Sequence, residues 1–193
     1  MTMKKILIIN GHPVKDSYNS ALTEAYKQGA EAGNFNVSRL NIRDLKFNPN
    51  LEFAYKERME MEADIKLAVD QIKKADHIVW IYPMWWSGMP ALLKGFIDRT
   101  FLPEIAFRSR NGKLPEKLLK GKTARIIITS DTPRWYDYLF MKSPALNQLK
   151  KGTLNFSGIK PVKVSYISPI KNSTEKFRAN WLEKITLLGK VGQ

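Results

Sequence analysis

A chain of 193 residues with 44% hydrophobic and 26% charged residues has the make-up of one globular domain, which excludes the disordered class. It has no cysteine, so a disulfide framework, thiolate chemistry and a zinc site built on it are excluded, which fits a cytoplasmic protein. The net charge of +14 is one-sided: residues 1–107 hold 14 Lys/Arg against 13 Asp/Glu, and residues 108–193 hold 18 against 5. The basic residues of the second half are scattered, Lys150-Lys151 being its longest run, and no helix-turn-helix, zinc-finger or RNA-binding signature accompanies them. A solvated basic face is the first reading, attraction of an anionic dinucleotide the second, and nucleic acid is not an expected partner.

In chain order, the run 5–10 (KILIIN) reads as a buried first strand. Its apolar stretch before Asn10-Gly11-His12-Pro13 is too short for an export signal or a membrane span, so no membrane insertion is expected. Further strands are expected at 36–40 (NVSRL), 77–82 (HIVWIY), 123–129 (TARIIIT) and 162–167 (VKVSYI). The near-continuous apolar runs among them suit parallel strands covered on both faces. Helical spacing falls at 20–32, which Gly33-Asn34 stops, and at 60–75, where Ile65, Ala68, Val69 and Ile72 share a face. It recurs at 90–101, opened by Pro90, and at 174–188, with Ser173 or Thr174 as its cap. The order βαβαβαβαβα over residues 1–193 implies one α/β domain, a doubly wound five-stranded parallel sheet with helices on both faces. Two connections, 47–55 and 102–122, are long enough to serve as binding loops or partner contacts.

Ligands of open α/β sheets bind beyond the carboxyl ends of the strands, where three loops converge. The first runs from Gly11 to Ser20 and contains neither G-x-G-x-x-G nor a P-loop. Its glycine turn, followed by His12, Ser17 and Asn19 at a helix start, suits a phosphate, and equally suits plain capping. In the second loop, Tyr82-Pro83-Met84-Trp85-Trp86-Ser87-Gly88-Met89-Pro90, two adjacent tryptophans between prolines cannot both be core. Aromatic planes and exposed amides there suit a flat heteroaromatic ring, the alternative being a lid or dimer surface. The third loop, Thr129-Ser130-Asp131-Thr132-Pro133-Arg134-Trp135-Tyr136-Asp137-Tyr138, mixes hydroxyls, an arginine and aromatics. Arg134 or Tyr136 beside a reduced flavin would stabilise developing negative charge. The alternative is an amphipathic loop with Trp135 and Tyr138 filling the core.

These residues carry a resemblance. Gly11-His12-Pro13 with Ser17-Tyr18-Asn19, the block from Pro83 to Arg99, Asn48-Pro49, and the stretch from Gly152 to Gly158 resemble the flavodoxin-like NAD(P)H:quinone oxidoreductase family, which includes DT-diaphorase. The resemblance implies that His12, Ser17, Tyr18 and Asn19 hold the flavin phosphates. It implies that Pro83, Met84, Trp85, Trp86 and Ser87 lie along the isoalloxazine ring, with Thr129, Ser130 and Asp131. It further implies hydride transfer from NAD(P)H through a flavin, FAD or else FMN, to a quinone-like acceptor by a ping-pong mechanism. A homodimer with shared active sites and a contribution from around Phe107 is implied as well. One departure stands out: the family's glycine-rich stretch, tyrosine and histidine are replaced by Asp131-Thr132-Pro133-Arg134-Trp135-Tyr136. Tyr136 stands in for the tyrosine and the histidine has no counterpart. A flavodoxin-type electron carrier and a regulatory subunit of a transporter are the alternative readings.

Overall fold

The computed structural model describes residues 3–193 except Tyr55, the last residue of the expected 47–55 connection, which lies outside the described residues together with Met1 and Thr2. Its elements are β1 (Lys5–Asn10), α1 (Tyr18–Ala32), β2 (Asn36–Asn41), a 3₁₀ turn (Ile42–Asp44), α2 (Ala63–Lys74), β3 (His77–Pro83) and α3 (Ala91–Thr100). There follow β4 (Phe107–Arg110), β5 (Lys113–Lys117), β6 (Thr123–Thr129), α4 (Arg134–Leu139), α5 (Pro144–Asn147), a π-helical segment (Gln148–Asn155), β7 (Val162–Ile167) and α6 (Glu175–Lys190). Five strands pair in parallel in the order β2-β1-β3-β6-β7, the expected doubly wound sheet.

Alternation along the strands assigns the two faces. Ile6, Ile8, Val79, Ile81 and Ile127 point to the side covered by Leu22 and Tyr26 of α1 and Ile185 of α6. Leu7, Ile9, Ile78, Trp80, Ile126 and Ile128 point to the side covered by α2 and α3. On the first side the two helices touch backbone to backbone. A Cβ on Gly29 would run into the Thr186 carbonyl, and one on Gly189 into the Tyr26 carbonyl. Only glycine permits that approach.

Three expectations are corrected. The 102–122 connection contains an antiparallel hairpin, β4–β5, which the polar alternation of its residues masked. The third loop is loop only to Pro133, and Arg134 opens α4, with α5 and the π-helical segment following before β7. The helix expected from residue 60 starts at Ala63, because Glu60 and Glu62 are drawn into a clamp on the connection before it. Buried Arg99 of α3 donates to the Asn48 carbonyl (2.6 Å), the Glu60 carbonyl (2.9 Å) and Glu62 Oε2 (2.8 Å). Pro49 packs on Gly95 so closely that a Cβ there would lie 2.5 Å from the proline's own. Asn48-Pro49 and the block ending at Arg99 are thus two halves of one contact.

Candidate active site

The carboxyl ends of β1, β3 and β6 place the three expected loops side by side. In the first, Asn10 is buried and acts as a brace: its Oδ1 accepts from the His12 amide (3.0 Å) and its Nδ2 donates to Ser20 Oγ (3.2 Å). The Val14 amide donates to His12 Nδ1 (3.0 Å), which fixes a neutral imidazole with its hydrogen on Nε2. Burial pushes the His12 pKa below its ordinary value, and the charge of Arg43 pushes the same way. Ser17 caps α1, its Oγ accepting from the Ser20 amide (3.2 Å). Asn19 is buried, its Oδ1 accepts from Thr129 Oγ1 (3.0 Å), and its Nδ2 has no partner. Tyr18 turns away: its hydroxyl donates to the Arg178 carbonyl of α6 (2.9 Å), and burial raises its pKa to about 12.

The second loop is a tight reversal. Trp85 and Gly88 exchange backbone hydrogen bonds (3.0 and 2.8 Å), and Trp86 and Ser87 between them have φ of 48° and 58°. Two successive left-handed residues make a type I′ turn, a conformation that costs of order 1–3 kcal/mol for each side chain that is not glycine. Among the described residues, the Trp86 and Ser87 amides donate to no protein acceptor. Trp86 is fully exposed (103%), and the Trp85 ring meets the His12 ring edge-on at 5.8 Å, joining the first two loops. Pro83 is buried at the end of β3, and the Met84 amide donates to the Thr129 carbonyl (2.7 Å), joining the second loop to the third.

The third loop uses its side chains internally. Ser130 Oγ accepts from the Thr132 amide (2.9 Å), and Asp131 Oδ1 accepts from the Lys171 amide (2.7 Å). Arg134 lies between the rings of Tyr166 (4.7 Å to the centroid) and Tyr138 (5.5 Å), and donates to Asp137 Oδ2 (3.1 Å) and Ser143 Oγ (2.9 Å). It forms one wall of an open cavity of about 680 Å³ with Pro133, Trp135, Tyr138, Ser168 and Pro169. Tyr136 stacks on Phe140 at 5.2 Å. Trp135 and Tyr138 are exposed, so neither fills the core, and with Leu139, Phe140 and Met141 they leave α4 an apolar surface.

Asn10, Tyr166 and Asp137 escaped the sequence reading. Asn10 has a local signal, a polar residue ending an apolar strand, while the other two matter only through partners distant in sequence. Among the described residues no helix is long and apolar enough to cross a membrane, and no cluster of metal-ligating side chains occurs.

Comparison with known proteins gives a consistent picture. The family described as having a flavodoxin-like fold matches residues 4–186. An uncharacterized NAD(P)H oxidoreductase of Haemophilus influenzae is 31% identical over 92% of this chain and 90% of its own. Human ribosyldihydronicotinamide dehydrogenase [quinone] is 27% identical over 98% of this chain and 94% of its own. Among solved structures, Smu.1420 from Streptococcus mutans superposes with a TM-score of 0.84 at 31% identity, covering 97% of this chain and 99% of its own. An FMN-dependent NADH-azoreductase of Bacillus anthracis, solved with FMN, shares the fold at a TM-score of 0.73 and 19% identity, covering 98% of this chain and 99% of its own.

Proposed function

The chain belongs to the flavodoxin-like-fold family of NAD(P)H oxidoreductases and quinone reductases, and from that premise we propose that it is a flavin-dependent NAD(P)H oxidoreductase reducing a quinone or similar two-electron acceptor. The observation that carries this reading is the Trp85–Gly88 turn, which spends backbone strain to leave two amides unpaired beside exposed indoles. Such amides suit the polar edge of a flavin ring and the indoles its faces.

The rest of the site fits the same group. His12 Nε2–H, the Asn19 Nδ2 left without a partner, Ser17, and the Tyr18 and Asn19 amides at the start of α1 would hold a phosphate. Pro83 and Met84 set the turn against β6. The side chains of Thr129, Ser130 and Asp131 already have partners, as do the Thr129 carbonyl and the Ser130 amide and carbonyl, so these residues would shape the edge of the site by their placement. A flavin held there would accept hydride from NAD(P)H and pass it to the acceptor. Arg134 positions α4 and walls the cavity in which a dinucleotide would lie, and the half-exposed Tyr136 is the phenol on the acceptor side. FAD is the form that the family resemblance implies, whereas the azoreductase neighbour was solved with FMN. The residues above meet only the part those two share, so the mass of the extracted cofactor assigns it. A second copy of the chain covering the apolar face of α4 would make a homodimer, and NAD(P)H as donor suits a cytoplasmic enzyme.

Anaerobic stopped-flow mixing with NADPH tests the reading. The protein's own absorbance near 450 nm, where oxidised flavins absorb, should bleach within the turnover time. Initial rates varied in both substrates should then give parallel lines, because one cleft serves donor and acceptor in turn. A flavin that bleaches only when a separate reductase is added would make the chain an electron carrier. A colourless protein that binds neither flavin would overturn the proposal.

A further inference from the structure

Arg43 lies in the 3₁₀ turn directly after β2, and no motif of the sequence points to it. The register of the sheet pairs Asn10 with Asn41, so His12 and Arg43 each leave adjacent parallel strands two residues later, at the same edge. The Arg43 side chain is only 14% exposed, and its Nε and Nη1 are buried without a hydrogen-bond partner. Its nearest carboxylate oxygen, Asp44 Oδ1, lies 3.4 Å from Nε, and the other, Oδ2, accepts from Asn41 Nδ2 (2.9 Å). The other buried arginines differ in degree: each leaves only Nε without a partner, while Arg99 donates to Asn48, Glu60 and Glu62, and Arg125 donates to Ser165 Oγ (2.8 Å). Guanidinium N–H groups hidden from water and left without an acceptor are costly unless an anion completes the group, and its planar fork matches phosphoryl oxygens. With His12 neutral, the first loop's own cation is the exposed Lys15, which Asp16 follows directly; Arg43 brings a mostly buried one.

We propose that Arg43 is a ligand of the phosphoryl group bound at the first loop, so that β2 as well as β1 recognises the flavin nucleotide. The assignment rests on the flavin reading above. FMN's terminal phosphate and FAD's pyrophosphate share the chemistry.

Flavin-depleted wild type, Arg43→Gln and Arg43→Lys would be titrated with riboflavin, FMN and FAD, following flavin fluorescence. A lost charge-assisted contact should weaken FMN, FAD or both by roughly 10- to 100-fold in Arg43→Gln. Riboflavin, which has no phosphate, should bind the variant as it binds wild type, and Arg43→Lys should fall between. Loss for both nucleotides assigns Arg43 to the phosphate next to the ribityl chain, and loss for FAD alone to the pyrophosphate's far side. The flavin-depleted variant should melt near the wild-type temperature, since Arg43 Nε and Nη1 have no hydrogen bond to lose and its ion pair is with the exposed Asp44. Unchanged FMN and FAD affinity, or an equal loss for riboflavin, would overturn the proposal while leaving the flavin reading intact. Wild type that binds none of the three would overturn both.

Discussion

Thr129, the last residue of β6, donates a 3.0 Å hydrogen bond to Asn19 in the first turn of α1, across a sequence separation of 110 residues. Both side chains are buried, so this bond fixes the first loop against the third beneath the candidate flavin. Asn19→Ala should therefore act twice. Leaving the Thr129 hydroxyl without its acceptor should lower the stability of the flavin-depleted protein by about 1–3 kcal/mol in urea unfolding. Ser17→Ala should cost about 1 kcal/mol through the lost helix cap. Both variants should also bind flavin more weakly in fluorescence titration. A double variant with reduced stability and unchanged flavin affinity would assign both residues to structure alone.

Among the described residues, Arg134 is the one cation paired with the buried carboxyl group of Asp137. Asp137 is 1% exposed and takes its hydrogen bond from Arg134, whose own side chain remains partly in water. Arg134→Ala should destabilise by about 2–3 kcal/mol, less than the figure for a fully buried pair. Adding Asp137→Asn should recover at least half of that in denaturant unfolding, because the stranded charge is gone. If Arg134 also meets the dinucleotide, the double variant should keep a raised KM for NADPH with kcat little changed.

His77 sets a pH dependence. It is buried at the start of β3, and burial lowers its pKa from 6.5 to about 3, with the charges of Lys4, Arg125 and Lys163 pushing the same way. Below pH 6.5 the unfolded chain takes up a proton at this position that the folded chain refuses. Its contribution is therefore complete above the unfolded value and is lost as pH falls from 6.5 toward 3. Between pH 7 and pH 5 the loss should be about 2 kcal/mol. Urea unfolding of His77→Gln across that range should show a flatter slope by that amount. An unchanged slope would mean that His77 does not govern it.

The α1–α6 contact makes a further prediction from backbone alone. Gly29→Ala or Gly189→Ala should destabilise by about 1–3 kcal/mol, since each Cβ meets a carbonyl of the facing helix. That would come despite alanine's advantage of about 1 kcal/mol inside a helix. Gly152→Ala is the control. Its Cβ would lie 4.0 Å from the Asn147 carbonyl, in ordinary contact, so thermal unfolding should find it neutral or stabilising.

The sequence by itself determined the five strands of the parallel sheet, the four long helices between and after them, and where the first two loops lie. Strands such as KILIIN and HIVWIY are apolar on both faces, and the intervening helices repeat every three or four residues. Such periodicities are local and survive without a partner in view. The exposure of Trp85 and Trp86 was legible for a similar reason, because two neighbouring indoles cannot both turn inward at a reversal. Tertiary structure decided which polar side chains are free. Tyr18, Thr129 and Asp131 look alike in sequence to Ser17 and Asn19, yet their polar atoms are taken up by α6, α1 and the segment before α6. It also moved Arg134 onto a helix between two tyrosine rings and left Arg43 Nε and Nη1 buried without a hydrogen-bond partner. Whether a side chain donates to its own protein or to a ligand depends on acceptors tens of residues away. Only the pairing of the strands brings those acceptors within hydrogen-bond reach.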